Sequence, residues 1–561
     1  MKHMLNHGIM KKWNLLVPVA VLLAFTMYTF GQETIDKEVV VVKPYKPVLS
    51  DAHKINILPE INDTSSVKPT FVYKITPKKY ETEYEVKKIK AATLGAEPIE
   101  KLYKSYLSLG LGNYFVPDIE LNVNSLRSRD KWFGIYVKHN SINGQIKLEN
   151  NDKVKPGFNE NIVLVEGKKI FKNSILSGFV SPQYWGIRFY GYNPNTTSDF
   201  NLIPKDSLKQ HYIYANTGIR MQSAHKDSTH LNYDLGFNYG YTGDRYDFNE
   251  HAFRMTGDIN KQIKNQVVGL ATGFSYYRTP EAFDSFDNTV VYVQPWFSRS
   301  SSDFTYKIGV DLVADAYGND IKFHVHPIAY LQISLLNKIM VPYFGIEGRL
   351  EENNLGKISR ENMYILPGLS VKNTNHKIIG YIGLKGTYYS KLSYNLGFNY
   401  TISDNMYFFI NDTVGDVGNK FLVEYDNVER VNFFGEMMFK PLDKLSFTLK
   451  ADYYHYNLDS LKYAWHKPTA DVSLFAEYNI KNKLLLEGSV IYIGSRYARA
   501  LNGSAVKLNG YTDLSLGLEY RYSKVLSAFI RVNNLLGMSQ DAWLYYPGMR
   551  LNALIGFTYS L

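Results

Sequence analysis

The chain has 561 residues, a formal charge of +10 and no cysteine. Lacking cysteine, it has no disulfides, thiolate metal sites, thiol nucleophiles or cysteine-linked lipid. Its cations are spread out with no dense basic block, which argues against nucleic acid as a partner and leaves acidic headgroups or an anionic solute for a basic surface to meet.

At the N-terminus Lys2, Lys11 and Lys12 precede an apolar stretch from Leu15 to Phe30 and then Gly31. This order reads as a signal peptide over residues 1–31, cleaved near Gly31 or Gln32. The alternative is a single spanning anchor, for which the run falls short of the ~20 residues needed. Residues 32–102 are Lys- and Pro-rich, with Pro44, Pro47, Pro59, Pro69 and Pro77 spacing short extended runs, and they read as a periplasmic extension.

From about Tyr106 to Leu561 the texture is uniform. Leu231, Tyr233, Leu235, Phe237, Tyr239 and Tyr241 alternate with Asn232, Asp234, Gly236, Asn238 and Gly240. The same dyad recurs at Leu392 to Tyr400 and at Leu514 to Tyr522. A strand sends successive side chains to opposite faces, so such a repeat builds a wall with hydrocarbon on one side and water on the other. A soluble sandwich also alternates, but its strands average ~5 to 6 residues, whereas these stay apolar on one face for the ~10 residues of a tilted membrane strand.

Short polar turns fall at Arg127–Asp130, Lys172–Asn173, Lys226–Thr229, Lys261–Asn265, Ser300–Asp303, Leu336–Lys338, Tyr389–Lys391, Pro441–Lys444, Ile480–Lys483 and Tyr522–Lys524. Between them lie eleven gaps read as longer extracellular loops, among them Ile142–Phe158, Asn193–Leu208, Asn353–Asn375 and Asp404–Lys420. Together they join about 22 strands of an all-β, antiparallel transmembrane barrel over residues 103–561. The count turns on Met363–Ser390, and eighteen or twenty strands are the alternatives. The last residues, Asn552 to Leu561, alternate to the chain end.

No nucleophile elbow, P-loop, H-E-x-x-H or dinucleotide fingerprint occurs, so the reading is of a protein that is not an enzyme and needs no cofactor. His324 and His326 share a strand face and could bind a metal beside a carboxylate, but the favoured reading is that both line a wet lumen or sit in a strand rim, since histidines two apart are common by chance in a chain of this size. His53 beside Asp51, and Asp452 with His455, fix no triad. Asp234, Glu436, Asp452, Glu477, Glu487, Glu519 and Arg521 are read as lumen wall.

The segments LSLGLEYRYSKVLSAFIRVNNLLG (Leu514 to Gly537) and YYPGMRLNALIGFTYSL (Tyr545 to Leu561) resemble the C-terminal end of a TonB-dependent receptor barrel. In such barrels the terminal residue is usually phenylalanine, and Leu561 departs from that. The receptors also carry a folded plug ahead of the barrel, for which residues 32–102 leave no room. KEVVVVKPYKPVLSDAHKINILPEI (Lys37 to Ile61) is similar to the start of plugless, receptor-like proteins of the Bacteroidetes type. Glu38, Val39, Val40, Val41 and Val42 have the position and chemistry of a TonB box, a β-prone peptide that adds a strand to a partner's sheet. The alternative is an ordinary β-prone run pairing in the barrel mouth or with another envelope protein.

These readings imply an outer-membrane barrel for solute passage or uptake, surrounded by outer-membrane lipid and open to an outer-membrane or periplasmic partner through its extension. A 22-strand lumen is wide enough to need obstruction, by inward loops, by the extension or by a partner. The alternative role is a structural or assembly component of a larger outer-membrane complex; an outer-membrane hydrolase is a third.

Overall fold

The computed structural model describes residues 102–561 apart from 127, 149, 194–202, 225–229, 281–286 and 413–416. Each dyad segment forms a strand whose apolar members face outward. Leu235, Leu396 and Leu516 are 44, 46 and 52% exposed, an arrangement that water would oppose and hydrocarbon favours. The opposite members face the lumen, where Asp234 pairs with Arg220 and Glu436 with Lys450 at 2.7 Å.

Twenty-two strands form one sheet in which every pairing is antiparallel and sequential. Closure joins the first strand, Ser105–Gly112, to the last, Asn552–Ser560, with Tyr106 opposite Ser560 and Gly112 opposite Leu554. Leu561 fits this closure: its N–H reaches the Ser105 carbonyl at 2.9 Å, and Ser105 N–H returns the bond at 2.9 Å. No sheet edge is left at the closing seam, as a bilayer demands.

Among the described residues the short turns fall where the alternation breaks; Lys226–Thr229 lies outside them. For example, Asn249–Ile263 passes to Gln266–Arg278, and Ala470–Ile480 to Leu484–Ile493. The opposite end corrects the sequence reading twice. Three of its eleven connections are tight, since strands meet across only residues 113–115, 245–248 and 318–319. The expected loop from Asp404 is still strand, because Leu392–Asn411 continues past a register shift between Ser403 and Met406. A bulge absorbs the extra residue without ending the ladder, and no alternation count reveals that.

The outward band sets a testable asymmetry on one strand, Ser174–Arg188. Val180 is 53% exposed on the lipid face, whereas Ser177 faces the lumen and lines a cavity there. Val180→Arg should therefore cost roughly 2–4 kcal/mol and Ser177→Arg little, measured by loss of heat-modifiable gel mobility in a urea titration.

Candidate functional site

The barrel mouth is closed by its own loops. A connected cluster of fully or nearly fully buried side chains takes Tyr212 and Tyr214 from the strand Lys209–Ser223, and Tyr407, Phe409 and Phe421 from Leu392–Asn411 and Phe421–Leu442. In sheet order the first of these strands is sixth and the other two are fifteenth and sixteenth, so they stand on nearly opposite walls. One packed cluster can include both walls only if the material between them crosses the lumen.

That material is the loop between Val341–Glu351 and Thr374–Tyr388, with its helix α1 (Leu355–Glu361). Asn354 starts α1 by accepting the Lys357 N–H at 2.7 Å, a standard use of asparagine at a helix start. Leu355 and Ile358 enter the aromatic cluster. Polar ties then fix the helix to one wall: Glu250 accepts the N–H groups of Leu355 at 2.9 Å and Gly356 at 3.4 Å, and Tyr214 Oη lies 2.9 Å from Ser359 Oγ. Tyr212 Oη donates to the Met363 carbonyl at 3.1 Å. The far end is held by the other wall, where Glu361 accepts from Tyr407 and from Lys467, the latter at 2.8 Å. Ile365 makes a one-rung parallel bridge to Phe421.

The wall itself turns to deliver this loop. Register shifts occur between Glu347 and Arg349, and between His376 and Ile378. The ladder from Asp320–Ile333 to the same hairpin holds only from Ile328 to Gln332, opposite Glu347 to Tyr343. Above it, side chains replace the ladder. His326 Nε2 lies 2.8 Å from Asn375 Oδ1, and a Cβ at Gly348 would stand 2.8 Å from that of His326 and 2.6 Å from the Lys377 carbonyl. Paired bulges bend strands locally, and only glycine fits the contact at residue 348.

Further loops complete the cap. Tyr364 and Tyr546 stack at 3.8 Å, Tyr190 meets Tyr546 at 4.8 Å, and Tyr190 Oη donates to the Pro547 carbonyl at 2.9 Å. Both stacked tyrosines precede a Pro-Gly pair, Pro367-Gly368 and Pro547-Gly548, and Gly368 takes φ 74°, the left-handed region glycine occupies freely. Burial pushes the Tyr364 hydroxyl up to about 12. His466, in the connection 459–469, is enclosed by Phe421 and Trp543; its Nδ1–H donates to the Phe409 carbonyl at 2.9 Å and its Nε2 accepts from Leu544 N–H at 3.4 Å. Burial, with Arg496 and Lys467 adding to it, holds this imidazole down to about 4.

His324 and His326 do share the lumen face, stacked at 5.9 Å. They are tied to Asp315 at 3.5 Å and Asp311 at 3.3 Å. Among the described residues no group of three or more ligating side chains forms a metal site, and the pair belongs to the polar seam that anchors the inward hairpin. Asp452 bonds Asn432 at 3.0 Å, and by strand alternation His455 faces the other way, so the two are not brought together. Glu477 and Glu487 sit opposite each other on adjacent lumen strands, and Arg521 lies 3.5 Å from Glu519. Glu38, Val39, Val40, Val41 and Val42, the expected signal peptide, Asp51 and His53, and residues 32–101 of the expected extension, with the expectation that it holds no plug, all lie outside the described residues.

Sequence reasoning anticipated inward loops as one way to obstruct the lumen but not which ones. The available signal was aromatic residues where loops are ordinarily polar, as in Phe189-Tyr190-Gly191-Tyr192 and Trp543-Leu544-Tyr545-Tyr546. Removing one tie gives a local test. Glu250→Ala strands two helix N–H groups, which costs roughly 1–3 kcal/mol, and limited trypsinolysis should then cut faster at Lys357 and Arg360.

A closed 22-strand antiparallel β-barrel with a lipid-facing outer surface, its mouth capped by loops, is the class that fold and site define. Solved structures share that fold: the siderophore receptor PirA from Acinetobacter baumannii (TM-score 0.63, 10% identity, covering 82% of this chain and 81% of that one) and the FrpB iron transporter from Neisseria meningitidis (0.63, 9%, 82% and 82%). The ferric-catecholate import receptor Fiu from K12 E. coli is similar to it too (0.60, 11%, 82% and 82%). No family model and no curated protein sequence matches the chain. The expected TonB-dependent-receptor-like barrel is thus the observed fold.

Proposed function

We propose that this barrel carries a solute across the outer membrane, with the loop cap as its outer gate. The carrying observation is one aromatic cluster reaching from one wall to the other through α1. A lumen of this width would leak small solutes if left open, and a cap built of loops can close it without a covalent step. The likeness to import receptors supports the same reading at the level of fold. Residues 32–102 are read here as a periplasmic, plugless extension that bears on the periplasmic side of the passage, with Glu38 to Val42 as its partner-binding strand.

Reconstitution in vesicles tests this. Deleting residues 32–100 from a barrel whose cap has been shortened is expected to raise single-channel conductance further in planar bilayers, and an unchanged conductance would remove the extension from the gate. A stoichiometric partner in mild detergent, together with no solute flux from either the full chain or a cap-shortened one, would favour an assembly component instead.

A further inference from the structure

A cavity of about 510 Å³ opens on the lumen side beneath α1. Its lining includes two arginines, Arg254 from the wall and Arg360 from the helix, and no carboxylate. We propose that this cavity is a binding subsite for an anionic solute, one bearing a carboxylate or a phosphate, on its way through the barrel. The inference rests on the passage reading and names the solute class for it.

Both guanidiniums are held in place by neighbours that leave donors over. Arg254 contacts Tyr277 Oη at 2.7 Å and Glu352 at 2.8 Å, both through Nη2, so Nε and Nη1 keep donors for a ligand. Arg360 lies 3.9 Å over the Tyr214 ring and 5.4 Å from Trp185, and gives Nη1 to Gln183 at 2.9 Å. Aromatic stacking fixes the plane of a guanidinium, and a fixed planar fork matches a carboxylate or phosphate in two-point contact. Side chains with hydroxyl and amide donors, Ser181, Asn216 and Asn238, complete the polar lining. The volume lies in the range of small-ligand sites.

Position strengthens the case. A second cavity of about 600 Å³ shares Phe179 and Asn238 with the first and continues along the same wall sector, past Lys168 and Arg220. There the cations meet acids, Glu166 in the lining and Asp234 on Arg220. A separate lumen sector, by contrast, places Glu477 against Glu487 with Arg531 alone nearby. A polyvalent anion entering under α1 thus meets two arginines first, Arg254 shared with Glu352 outside the lining, and a wall where cations and acids pair after it, which favours entry and then release.

Calorimetric titration of the full-length protein in detergent decides the matter, with glucose 6-phosphate and succinate as probes and glucose as the neutral control. The anions should bind about tenfold or more tighter than glucose. Arg360→Gln should remove about that factor for the anions while leaving glucose unchanged. Because Arg254→Gln alone would leave Glu352 unpaired, the double variant R254Q/E352Q serves as the second test, with heat-modifiable mobility confirming a folded barrel. Equal binding of glucose and the anions, no heat from either anion, or anion affinity unmoved in both variants would overturn the subsite. Vesicle flux with no anion preference would sink it while sparing the passage reading; absence of all flux would sink passage, and calorimetry would still judge the cavity.

Discussion

Replacing residues 354–372 by a short Gly-Ser linker is expected to raise single-channel conductance about tenfold or more, because a 22-strand closure encloses a lumen that only its contents can narrow. The deletion removes α1, Tyr364 and Ile365, and with them the contacts that run through the inward loop from the Tyr212 wall to the Phe421 wall. The barrel should survive, since its ladder is sequential and the cut falls between Glu351 and Thr374, where the strands have ended. Heat-modifiable mobility checks that survival independently. Conductance that stays low in the shortened barrel, and rises only when residues 32–100 are also removed, would move the main obstruction from the cap to the extension.

What was legible in the sequence follows from what a dyad repeat encodes. Period two is a local property, so Leu231 to Tyr241 declares its lipid face without reference to any neighbour, and the polar breaks at Lys172 or Ile480 mark where it ends. The number of strands follows from counting such breaks. Loop destination is a different kind of information. Tyr364 and Tyr546 stand about 180 positions apart in the chain, and nothing in either segment alone specifies the other.

The inward hairpin shows the same limit at the level of the wall. Its turn depends on Gly348 making room for His326, and on Asn375 taking the place of a backbone rung. His324 and His326 drew attention as possible ligands because their spacing is local. Their use is to hold a seam whose other side is 49 residues away at Asn375. Lumen charges were placed on the correct face by alternation, yet the cavity that sets two arginines together needed α1 to bring Arg360 to Arg254.

Acid is expected to loosen the cap through His466. An ordinary imidazole titrates near 6.5, and this one is held down to about 4 by burial, with Arg496 and Lys467 opposing a further positive charge. Protonating Nε2 would also turn it from the acceptor of Leu544 N–H into a second donor facing that group. The folded value is depressed, so between the two values the opened loop takes up a proton that the closed cap refuses. Stability is therefore complete above about pH 6.5 and declines as pH falls toward 4, by about 3 kcal/mol in all, at 1.36 kcal/mol for each unit. Trp543, whose ring is 5.2 Å from the imidazole, reports the change. Its fluorescence, and the trypsin sensitivity of the loop 459–469, should shift across that window in the native protein. His466→Gln keeps a donor and an acceptor without a titrating proton and should flatten both curves. A variant whose curves matched the native ones would transfer the acid response to other groups.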